Sequence, residues 1–352
     1  MTEEYALKIL AEVTDSGSGK SLIELGWLSQ IRINPPRAIV RLGLPNFAQS
    51  QRSRIVDEIR SKLTSLEEIT DVQIELDTSN DNTKKPSTEE IPQKQSIDGV
   101  KRVIAISSGK GGVGKSTVAV NLACALSSIG HKVGLLDADI YGPNTPLMLG
   151  VNNDSPKVYG SGEDQRLVPI QKHGISLVSM GFLIEEAQPV IWRGPMLNGI
   201  IRQFLYQVEW GQLDYLIVDL PPGTGDAQIS LAQAVPMAGV IIVTTPQKVS
   251  LQDSRRGLSM FKQLNVPILG VVENMSGFIP PEQPEKKYDI FGSGGGLQLA
   301  KENNVCLLSQ IPIELPIVED SNNGIPIVRS KNLSKSAEQF INLAEIIAKQ
   351  LS

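Results

Sequence analysis

From Val100 to the end of the chain, short apolar runs alternate with longer segments in which apolar residues recur at helical spacing. Such runs are typical of strands buried on both faces, and such segments are typical of amphipathic helices. The runs are 100–106, 132–137, 175–179, 213–220, 239–245, 267–273 and 305–310. The helical segments are 116–129, 196–209, 226–237, 251–264, 295–304 and 334–351. This alternation predicts an α/β fold with a mainly parallel sheet flanked by helices.

The first 78 residues have a different pattern, in the order helix, strand, strand, helix, strand. The predicted helices are 5–13 and 55–66, and the predicted strands are 27–33, 37–44 and 69–76. Asn34-Pro35-Pro36 supplies a turn suited to a hairpin between the first two strands. A segment of this length buries only a modest core. We therefore predict a small α+β domain ahead of the large α/β domain.

A polar segment separates these two regions. Asp77 to Asp98 contains only two aliphatic residues, Ile91 and Ile97, among Ser, Thr, Asn, Lys, Pro and Gln. Such a segment cannot bury enough apolar surface to offset its ordering entropy. The predicted organisation is thus a small domain over 1–78, a flexible linker over 79–99 and a large domain over 100–352.

Composition and charge narrow the possible classes of protein. A net charge of −5 gives no overall basic field to attract nucleic acid or anionic lipid. Two cysteines and two histidines argue against a zinc finger, a disulfide scaffold and a histidine metal site. The N-terminus lacks the basic start and apolar core of a signal peptide, and no run of about 18 apolar residues occurs. We expect a cytoplasmic protein without nucleic-acid or membrane partners.

The segment G-K-G-G-V-G-K-S at 109–116 matches the P-loop pattern G-x-x-x-x-G-K-[ST]. In this pattern glycines let backbone N–H groups approach phosphate oxygens, a lysine reaches the terminal phosphates, and a hydroxyl ligates Mg²⁺. A strand before the loop and a helix after it direct free N–H groups and the helix dipole at one anion. The predicted nucleotide-binding residues are Gly109, Lys110, Gly111, Gly112, Val113, Gly114, Lys115, Ser116 and Thr117.

Lys110 is a second lysine within the loop, which one subunit does not need in order to hold phosphate. It is either a solvated side chain or a charge donated across a dimer interface to the partner's nucleotide. With this lysine, the loop resembles that of the deviant Walker A ATPases, which include MinD, ParA and the nitrogenase iron protein. The resemblance implies a homodimer that hydrolyses ATP, with Lys110 and Lys115 as catalytic residues.

Two acidic residues, Asp137 and Asp139, come at the end of the second strand of the large domain. Open α/β sheets gather ligands at that edge, and alternate strand positions point the same way, so both carboxylates are candidates for the site. One could orient a water molecule and the other support Mg²⁺, whereas the alternative is a helix N-cap before a Gly-Pro turn. Resemblance to the switch segment of deviant Walker A proteins implies that Asp139 positions the attacking water.

Two later strands also end in polar residues. The strand at 213–220 carries Asp219 before P-P-G-T-G-D, a Walker B arrangement in which the acid would hold Mg²⁺ opposite Ser116; a solvated aspartate is the alternative. The glycines after it permit a loop that responds to loss of the γ-phosphate. Asn274 follows a further strand, and the resemblance implies that its amide recognises adenine, although Asn is also a common turn residue.

Six motifs in order resemble the Mrp family of iron–sulfur cluster carrier ATPases, and two of them, W-R-G-P-M and E-N-M-S-G-F, separate that family from MinD and ParA. The motifs are G-K-G-G-V-G-K-S at 109–116, D-A-D-I-Y-G-P-N at 137–144, W-R-G-P-M at 192–196, D-L-P-P-G-T-G-D at 219–226, E-N-M-S-G-F at 273–278 and F-G-S-G-G-G at 291–296. The resemblance implies a Mg²⁺-dependent ATPase that binds clusters and transfers them to apoprotein clients, with iron–sulfur assembly proteins as partners.

The first 78 residues resemble the small iron–sulfur assembly domain that often precedes these ATPases, with S-L-I-E-L-G at 21–26 carrying the likeness. That domain usually has D-P-E near its first loop and a cysteine before its second helix. In this chain Asp15 alone matches the first signature, and Pro45-Asn46-Phe47-Ala48 has no cysteine. The cysteine chemistry of that domain therefore stays open, and a plain docking or scaffold domain is the alternative.

The chain also departs from the Mrp pattern after E-N-M-S-G-F, because residues 279–288 lack the family's C-x-x-C. An iron–sulfur cluster is normally held by about four thiolates. Cys124 falls in a predicted helix and is typical of a small buried hydrophobe, which leaves Cys306 as a candidate ligand. Resident cluster binding thus stays open. The alternatives are a MinD- or ParA-like positioning ATPase and a nucleotide-switched interaction protein without a cluster.

Overall fold

The computed structural model of the chain describes residues 3–15, 20–44, 49–66, 69, 71–76, 94–140, 142–160, 165–183, 194–331 and 334–352. Five predicted features fall wholly or partly outside these residues. They are the segment Pro45–Ala48, residue Thr70 of the predicted strand 69–76, most of the predicted linker, Tyr141 of the D-A-D-I-Y-G-P-N motif, and Trp192 and Arg193 of the W-R-G-P-M motif. The chain divides into two compact units, residues 1–89 and 90–352.

The first unit has a three-stranded sheet with two helices packed on it. Its elements are α1 (Glu3–Leu10), β1 (Leu28–Asn34), β2 (Arg37–Leu42), α2 (Gln49–Thr64) and β3 (Asp71–Leu76). β1 and β2 are antiparallel and β3 is parallel to β2, so β2 is the central strand. Leu10, Val40 and Ile59 are fully buried in the core of this unit. The predicted order of elements and the predicted small α+β fold are confirmed.

The second unit contains the remaining elements. Its strands are β4 (Val100–Ser108), β5 (Val133–Asp137), β6 (Lys157–Tyr159), β7 (Arg166–Val168), β8 (Ile170–Lys172), β9 (Ile175–Ser179), β10 (Leu213–Asp219), β11 (Met237–Thr244), β12 (Ile268–Phe278) and β13 (Leu307–Ile313). Its helices are α3 (Lys115–Ser128), α4 (Thr145–Met148), α5 (Gly194–Tyr206), α6 (Asp226–Ala234), α7 (Lys248–Gln263), α8 (Gly295–Asn303), α9 (Leu315–Asn322) and α10 (Lys335–Gln350).

Eight of these strands form one sheet in the order β13-β12-β11-β4-β10-β5-β9-β8. All neighbours are parallel except the edge strand β8, which is antiparallel to β9, so the predicted mainly parallel sheet is confirmed. One hydrophobic cluster joins the sheet to α5, α6, α7 and α8, and the other joins it to α3 and α10. Because helices cover both faces, the central strands are continuous apolar runs.

The structure adds short elements that the sequence pattern did not predict, namely β6, β7, β8, α4 and α9. Each spans eight residues or fewer, which is too short to show a clear apolar period. β12 also extends five residues beyond its predicted end at Glu273, through the E-N-M-S-G-F motif to Phe278.

The C-terminal part of the predicted linker is described and belongs to the second unit. Ile97 is 6% exposed, and Gln95 N donates a hydrogen bond to the Ala234 carbonyl at 2.9 Å. The division at 1–78, 79–99 and 100–352 stays a prediction. Among the described residues, no helix combines the length and apolar character needed to cross a bilayer.

Candidate functional site

The P-loop connects the end of β4 to the start of α3, at the edge of the sheet where the parallel strands end. Gly112 and Gly114 have φ angles of 78° and 80°, a conformation that side chains other than glycine rarely adopt. A Cβ atom on Gly109 would collide with the backbone of Asp253 in α7, and one on Gly114 would collide with the amide of Asn274. The glycines are therefore required by backbone conformation and by close packing.

Helix α3 begins with its first turn open to this edge. Its N-cap residue, Gly114, offers no side-chain acceptor, and no other described side chain caps it. The N–H groups of the first helical turn have no partner within the helix, so they are available to an anion, which the helix dipole also favours. This geometry supports the predicted phosphate contacts of Lys115, Ser116 and Thr117.

Lys115 is 6% exposed and lies among the predicted catalytic and metal-binding residues. Its Nζ is 2.7 Å from Asp219 Oδ1, 3.5 Å from Asp139 Oδ2 and 3.4 Å from Ser116 Oγ. Residues that are up to 104 positions apart in the sequence thus meet at one point. The structure brings together all four of the predicted catalytic and magnesium-binding groups other than Lys110.

Asp219 is fully buried, and its Oδ2 atom has no hydrogen-bond partner among the described residues. Burial raises the pKa of Asp219, whereas the charge of Lys115 and hydrogen bonds from Lys115 and Ser116 lower it. A buried carboxylate oxygen without a partner is costly unless a ligand satisfies it. This oxygen is therefore a candidate donor for a cation.

Asp137 is also fully buried, but it does not line the cavity. Instead, its carboxylate bonds to residues of neighbouring segments of the same chain. Its carboxylate accepts hydrogen bonds from the Thr145 hydroxyl at 2.8 Å, the Ser179 hydroxyl at 2.9 Å and the Asp139 N–H at 3.1 Å. Burial and the nearby carboxylate of Asp219 raise the pKa of Asp137 to about 7, although these three hydrogen bonds oppose the rise. β5 ends at Asp137, so strand alternation does not continue to Asp139, and the two carboxylates have different surroundings.

A cavity of about 290 Å³ opens above the P-loop. Its lining includes most of the predicted nucleotide-binding residues and adds α4, the loop after β10 and the end of α9. The lining residues are Ser108, Lys110, Gly111, Gly112, Gly114, Lys115, Ser116, Thr117, Asp139, Asn144, Leu147, Met148, Pro222, Ser321 and Asn322. Gly109 and Val113 do not line it; Gly109 packs against Asp253, and Val113 is 2% exposed.

A second cavity of about 260 Å³ shares Gly114, Thr117, Ser321 and Asn322 with the first. The rest of its lining is mostly apolar and comes from β12, β13 and α9. These residues are Asn274, Met275, Pro312, Ile313, Ile317 and Val318. Together the two cavities offer a polar, cationic end and a mostly apolar end that includes the amide of Asn274, which suits the phosphates and the base of a nucleotide.

Asn274 fixes the P-loop from the second cavity. It is 5% exposed, and its Nδ2 donates a hydrogen bond to the Val113 carbonyl at 2.9 Å. The next residue, Met275, has a φ angle of 55°, and the pairing of β12 with β13 is irregular between Asn274 and Phe278. The structure therefore places the predicted base-recognition residue between the P-loop and the apolar cavity.

Glu273 is a buried residue of the site that the sequence did not identify. Its carboxylate accepts hydrogen bonds from the Gly296 N–H, the Ser276 hydroxyl at 2.8 Å and the Gln310 side chain at 2.7 Å. It thus joins the E-N-M-S-G-F motif to the glycines that begin α8. A strand-ending glutamate directly before Asn274 was the only sequence signal for it.

Lys110 is half-buried and lines the first cavity. Its carbonyl accepts a hydrogen bond from the Ser108 hydroxyl at 2.9 Å. Its ammonium group has no hydrogen bond or ion pair with any described residue of the same chain. This position leaves the charge free to reach a ligand or a second subunit.

The two cysteines have contrasting environments. Cys124 is fully buried in α3, and burial raises the pKa of its thiol to about 12, whereas Cys306 is exposed just before β13. Residues 279–288, where a C-x-x-C was expected, form a loop closed by paired backbone hydrogen bonds between Phe278 and Tyr288. In the described parts of the chain, no group of three or more His, Cys, Asp or Glu side chains is placed to hold a metal ion.

Comparisons with known proteins give a consistent result. A family model described as NUBPL iron-transfer P-loop NTPase matches residues 99–348, and one described as iron-sulfur cluster assembly protein matches residues 3–76. An iron-sulfur cluster carrier protein of Synechocystis sp. is 51% identical over 352 residues, covering 100% of this chain and 98% of the relative. The iron-sulfur cluster transfer protein NUBPL of Dictyostelium discoideum is 47% identical, covering 73% of this chain and 79% of the relative.

Solved structures show the same relationship for the large unit. A nucleotide-binding protein from Archaeoglobus fulgidus in complex with ADP has a TM-score of 0.57 and 36% identity, covering 68% of this chain and 92% of its own. The cell division ATPase MinD of Pyrococcus furiosus has a TM-score of 0.50 and 28% identity, covering 71% of this chain and 99% of its own. Both matches agree with the observed sheet and P-loop.

Proposed function

Because the chain belongs to the family of NUBPL iron-transfer P-loop NTPases, we propose that it binds and hydrolyses ATP as a homodimer and uses this cycle to transfer iron–sulfur clusters to client apoproteins. The observation that carries the ATPase half is the buried Lys115, held between Asp219 and Asp139 at the floor of the P-loop cavity. A buried ammonium beside two carboxylates and an open helix N-terminus suits a triphosphate with its cation.

ATP would lie across the two cavities. Its phosphates fit the first, where the N–H groups at the start of α3 and the Lys115 ammonium attract anions. Its adenine fits the second, between Met275 and the apolar side chains of α9, with Asn274 able to offer its amide oxygen. Since Asn274 Nδ2 already donates to Val113, base recognition and P-loop position depend on the same side chain.

The residues present suit Mg²⁺. The partnerless Oδ2 of Asp219 and the hydroxyl of Ser116 are oxygen donors of the kind that Mg²⁺ uses together with nucleotide phosphates and water. When bound, Mg²⁺ would stabilise negative charge on the phosphate oxygens. Lys115 contacts Oδ1 of Asp219, so Oδ2 would remain available to the cation.

Asp139 is the residue that we assign to the attacking water. Its side chain is 10% exposed, lines the cavity, and is close enough to Lys115 to share its charge. A carboxylate there can accept a hydrogen bond from water and hold it for in-line attack. Lys110 would supply positive charge to the partner's nucleotide in the dimer.

The cargo half of the proposal rests on family membership and the matched assembly domain. Cys124 is unsuited as a ligand because its thiol is buried and resists ionisation, which leaves one exposed thiol per chain, Cys306. A dimer would thus supply two of about four thiolates. We propose that clients or assembly proteins supply the remaining ligands, so that a cluster is held in the transfer complex.

The positioning-ATPase alternative is not favoured. Its membrane handle would be α10, yet Phe340, Leu343 and Ile347 are fully buried in the core of the second unit. An apolar helix face that packs on the sheet is not available to a bilayer. With a net charge of −5, we propose a cytoplasmic protein that has neither membrane nor nucleic-acid partners.

Two lysine variants test the ATPase proposal. K115A should abolish ATP binding measured by calorimetry, because it removes the phosphate contact and leaves two buried carboxylates unneutralised. K110A should keep most of the ATP binding but lose ATP turnover, measured as the release of inorganic phosphate. K101A is the matched control, since Lys101 is exposed at the other end of β4 and pairs with Asp214. Full turnover in K110A would refute the role across the dimer interface.

The cluster proposal needs a separate experiment. The protein is reconstituted anaerobically with iron and sulfide, alone and with an apoprotein client, and followed by absorption spectroscopy. We expect stable iron only in the mixture, and loss of transfer in C306S. A stable cluster on the protein alone that survives C306S would contradict this assignment of ligands.

A further inference from the structure

Gln228, the third residue of α6, is a buried polar residue that the motifs did not single out. It is 1% exposed. Its Nε2 donates hydrogen bonds to the carbonyls of Pro221 and Gly223, both at 2.5 Å, and its Oε1 accepts one from the Ser107 hydroxyl at 3.3 Å. The side-chain amide therefore uses both donor hydrogens and its acceptor.

The loop that Gln228 holds lies directly after Asp219. Pro222, in the middle of the loop, lines the P-loop cavity. Gly223 has a φ angle of 93°, and its N–H donates to the Ser108 carbonyl at 2.9 Å. Ser107 and Ser108 are the last two residues of β4, immediately before the P-loop. Gln228 thus connects the strand that carries the P-loop with the loop that follows the Walker B aspartate.

Only a primary amide fits this position. Two carbonyl oxygens converge on one end of the side chain, so that end must donate twice, and the other end must accept from a hydroxyl. A carboxylate would bring negative charge against two carbonyl oxygens in a buried site, and an apolar side chain would leave both carbonyls without this donor. Either change should release the loop while leaving the P-loop residues themselves intact.

We propose that Gln228 is a positioning residue for ATP hydrolysis, which clamps residues 221–223 so that Pro222 and the segment after Asp219 close the phosphate end of the cavity. It rests on the ATPase activity proposed above. Gln228 does not line either cavity, so it acts through the loop. ADP, whose phosphates would be held by residues 109–117, should bind without it.

The test compares Q228M and Q228E with the same substitutions at Gln233, a half-buried residue on the same helix. At about pH 8, we expect both Gln228 variants to lose roughly tenfold to 100-fold in kcat, the equivalent of one to two buried hydrogen bonds. The Kd for ADP should stay within about threefold of wild type. Q233M and Q233E should match wild type in both measurements.

Lowering the pH separates positioning from a general loss of structure. Burial against two carbonyls raises the pKa of a glutamate, so Q228E becomes a neutral acid that donates one hydrogen bond as the pH falls. Its kcat relative to wild type should rise as the pH falls, while that of Q228M stays low. Wild-type kcat in Q228M, or a constant ratio of Q228E to Q228M across pH, would overturn the proposal.

Hydrogen exchange distinguishes failure of this proposal from failure of the ATPase assignment. In Q228M, but not in Q233M, amides in the peptide containing Gly223 should exchange faster, because the loop has lost its clamp. Unchanged exchange would overturn the proposal, and faster exchange in a protein without ATPase activity would refute only the ATPase assignment. If Q228M does not fold, S107A replaces it, because this substitution removes the hydroxyl that donates to Oε1. S107A should lower kcat about threefold and should also speed hydrogen exchange of the loop. If kcat and exchange are both unchanged, the proposed clamp is overturned.

Discussion

Replacing Asp137 by Asn should stabilise the magnesium-free protein more at pH 8 than at pH 5. Asp137 is fully buried at the end of β5, and no cationic side chain is among the residues that hydrogen-bond to its carboxylate. Burial, followed by the neighbouring Asp219, raises its pKa from 3.8 to about 7. Above pH 7 the fold must therefore carry an ionised carboxylate where the neutral acid is preferred.

The sign and size follow from proton linkage. The stabilising contribution of this group is fully present below pH 3.8 and is lost as the pH rises through about 7. One pKa unit corresponds to about 1.4 kcal/mol, so the loss at pH 8 is on the order of 4 kcal/mol, of which roughly 3 kcal/mol accumulates between pH 5 and pH 8. D137N has no ionisable group at this position, so it does not lose this stabilising free energy as the pH rises.

The substitution also has a cost of its own. The hydroxyls of Thr145 and Ser179 can rotate, so each can donate to the oxygen of an amide or accept from its nitrogen. The Thr145 N–H, which is 3.3 Å from Oδ2, can only donate, so it loses its acceptor if the amide nitrogen takes the place of Oδ2. That loss is worth about 1 kcal/mol. We therefore expect D137N to be more stable by about 3 kcal/mol at pH 8 and by less than about 1 kcal/mol at pH 5.

The assay is urea unfolding in EDTA, followed by the fluorescence of Trp210 in a W27F/W192F background. Trp210 is 4% exposed in the second unit, so it reports the unit that contains Asp137. D214N is the matched control with the opposite sign, since hydrogen bonds from Lys101 and the Lys132 N–H lower the pKa of Asp214. It should lose stability at pH 8 and approach wild type in acid. Equal effects of D137N at both pH values, or destabilisation at pH 8, would refute the reasoning.

Two further predictions use thiol reactivity and loop packing. Native protein should react with iodoacetamide at the exposed Cys306 alone. Cys124 should react only after unfolding, because burial raises the pKa of its thiol to about 12. Two alkylated tryptic peptides from native protein would contradict this prediction. G109A should weaken ADP binding by more than about tenfold, because its Cβ collides with the backbone of Asp253. G257A is the control, since nothing lies within 4 Å of its Cβ, and equal calorimetric affinities of the two variants would show that the collision does not matter.

Contiguous segments explain why so much was predictable. The P-loop, the Walker B strand and the alternation of strands with helices are each encoded by neighbouring residues, and every strand predicted from an apolar run is present in the sheet. Once parallel strands follow one another with helical crossovers, their carboxyl ends share one edge. The meeting of Lys115 with Asp139 and Asp219 followed from that rule.

Other parts of the site depend on contacts that no local pattern reveals. Gln228 meets Ser107 across 121 positions, Glu273 meets Gln310 across 37, and Asp137 meets Ser179 across 42. Each is an ordinary polar residue in the sequence, without a spacing that distinguishes it from a solvated side chain. Asp137 illustrates the consequence, since it was considered with Asp139 as a group facing the ligand and instead anchors α4 and β9.

The sequence by itself determined the class of fold, the P-loop motif and two of the acids that meet its lysine, Asp139 and Asp219, because backbone conformation and apolar period are local properties. It also determined that a C-x-x-C is missing after E-N-M-S-G-F. Only the tertiary structure decided which carboxylate is paired, which has its pKa raised by burial to about 7 and which buried amide holds the loop after Asp219. Those properties depend on burial and on partners brought together by the sheet, and neither exists until the chain is folded.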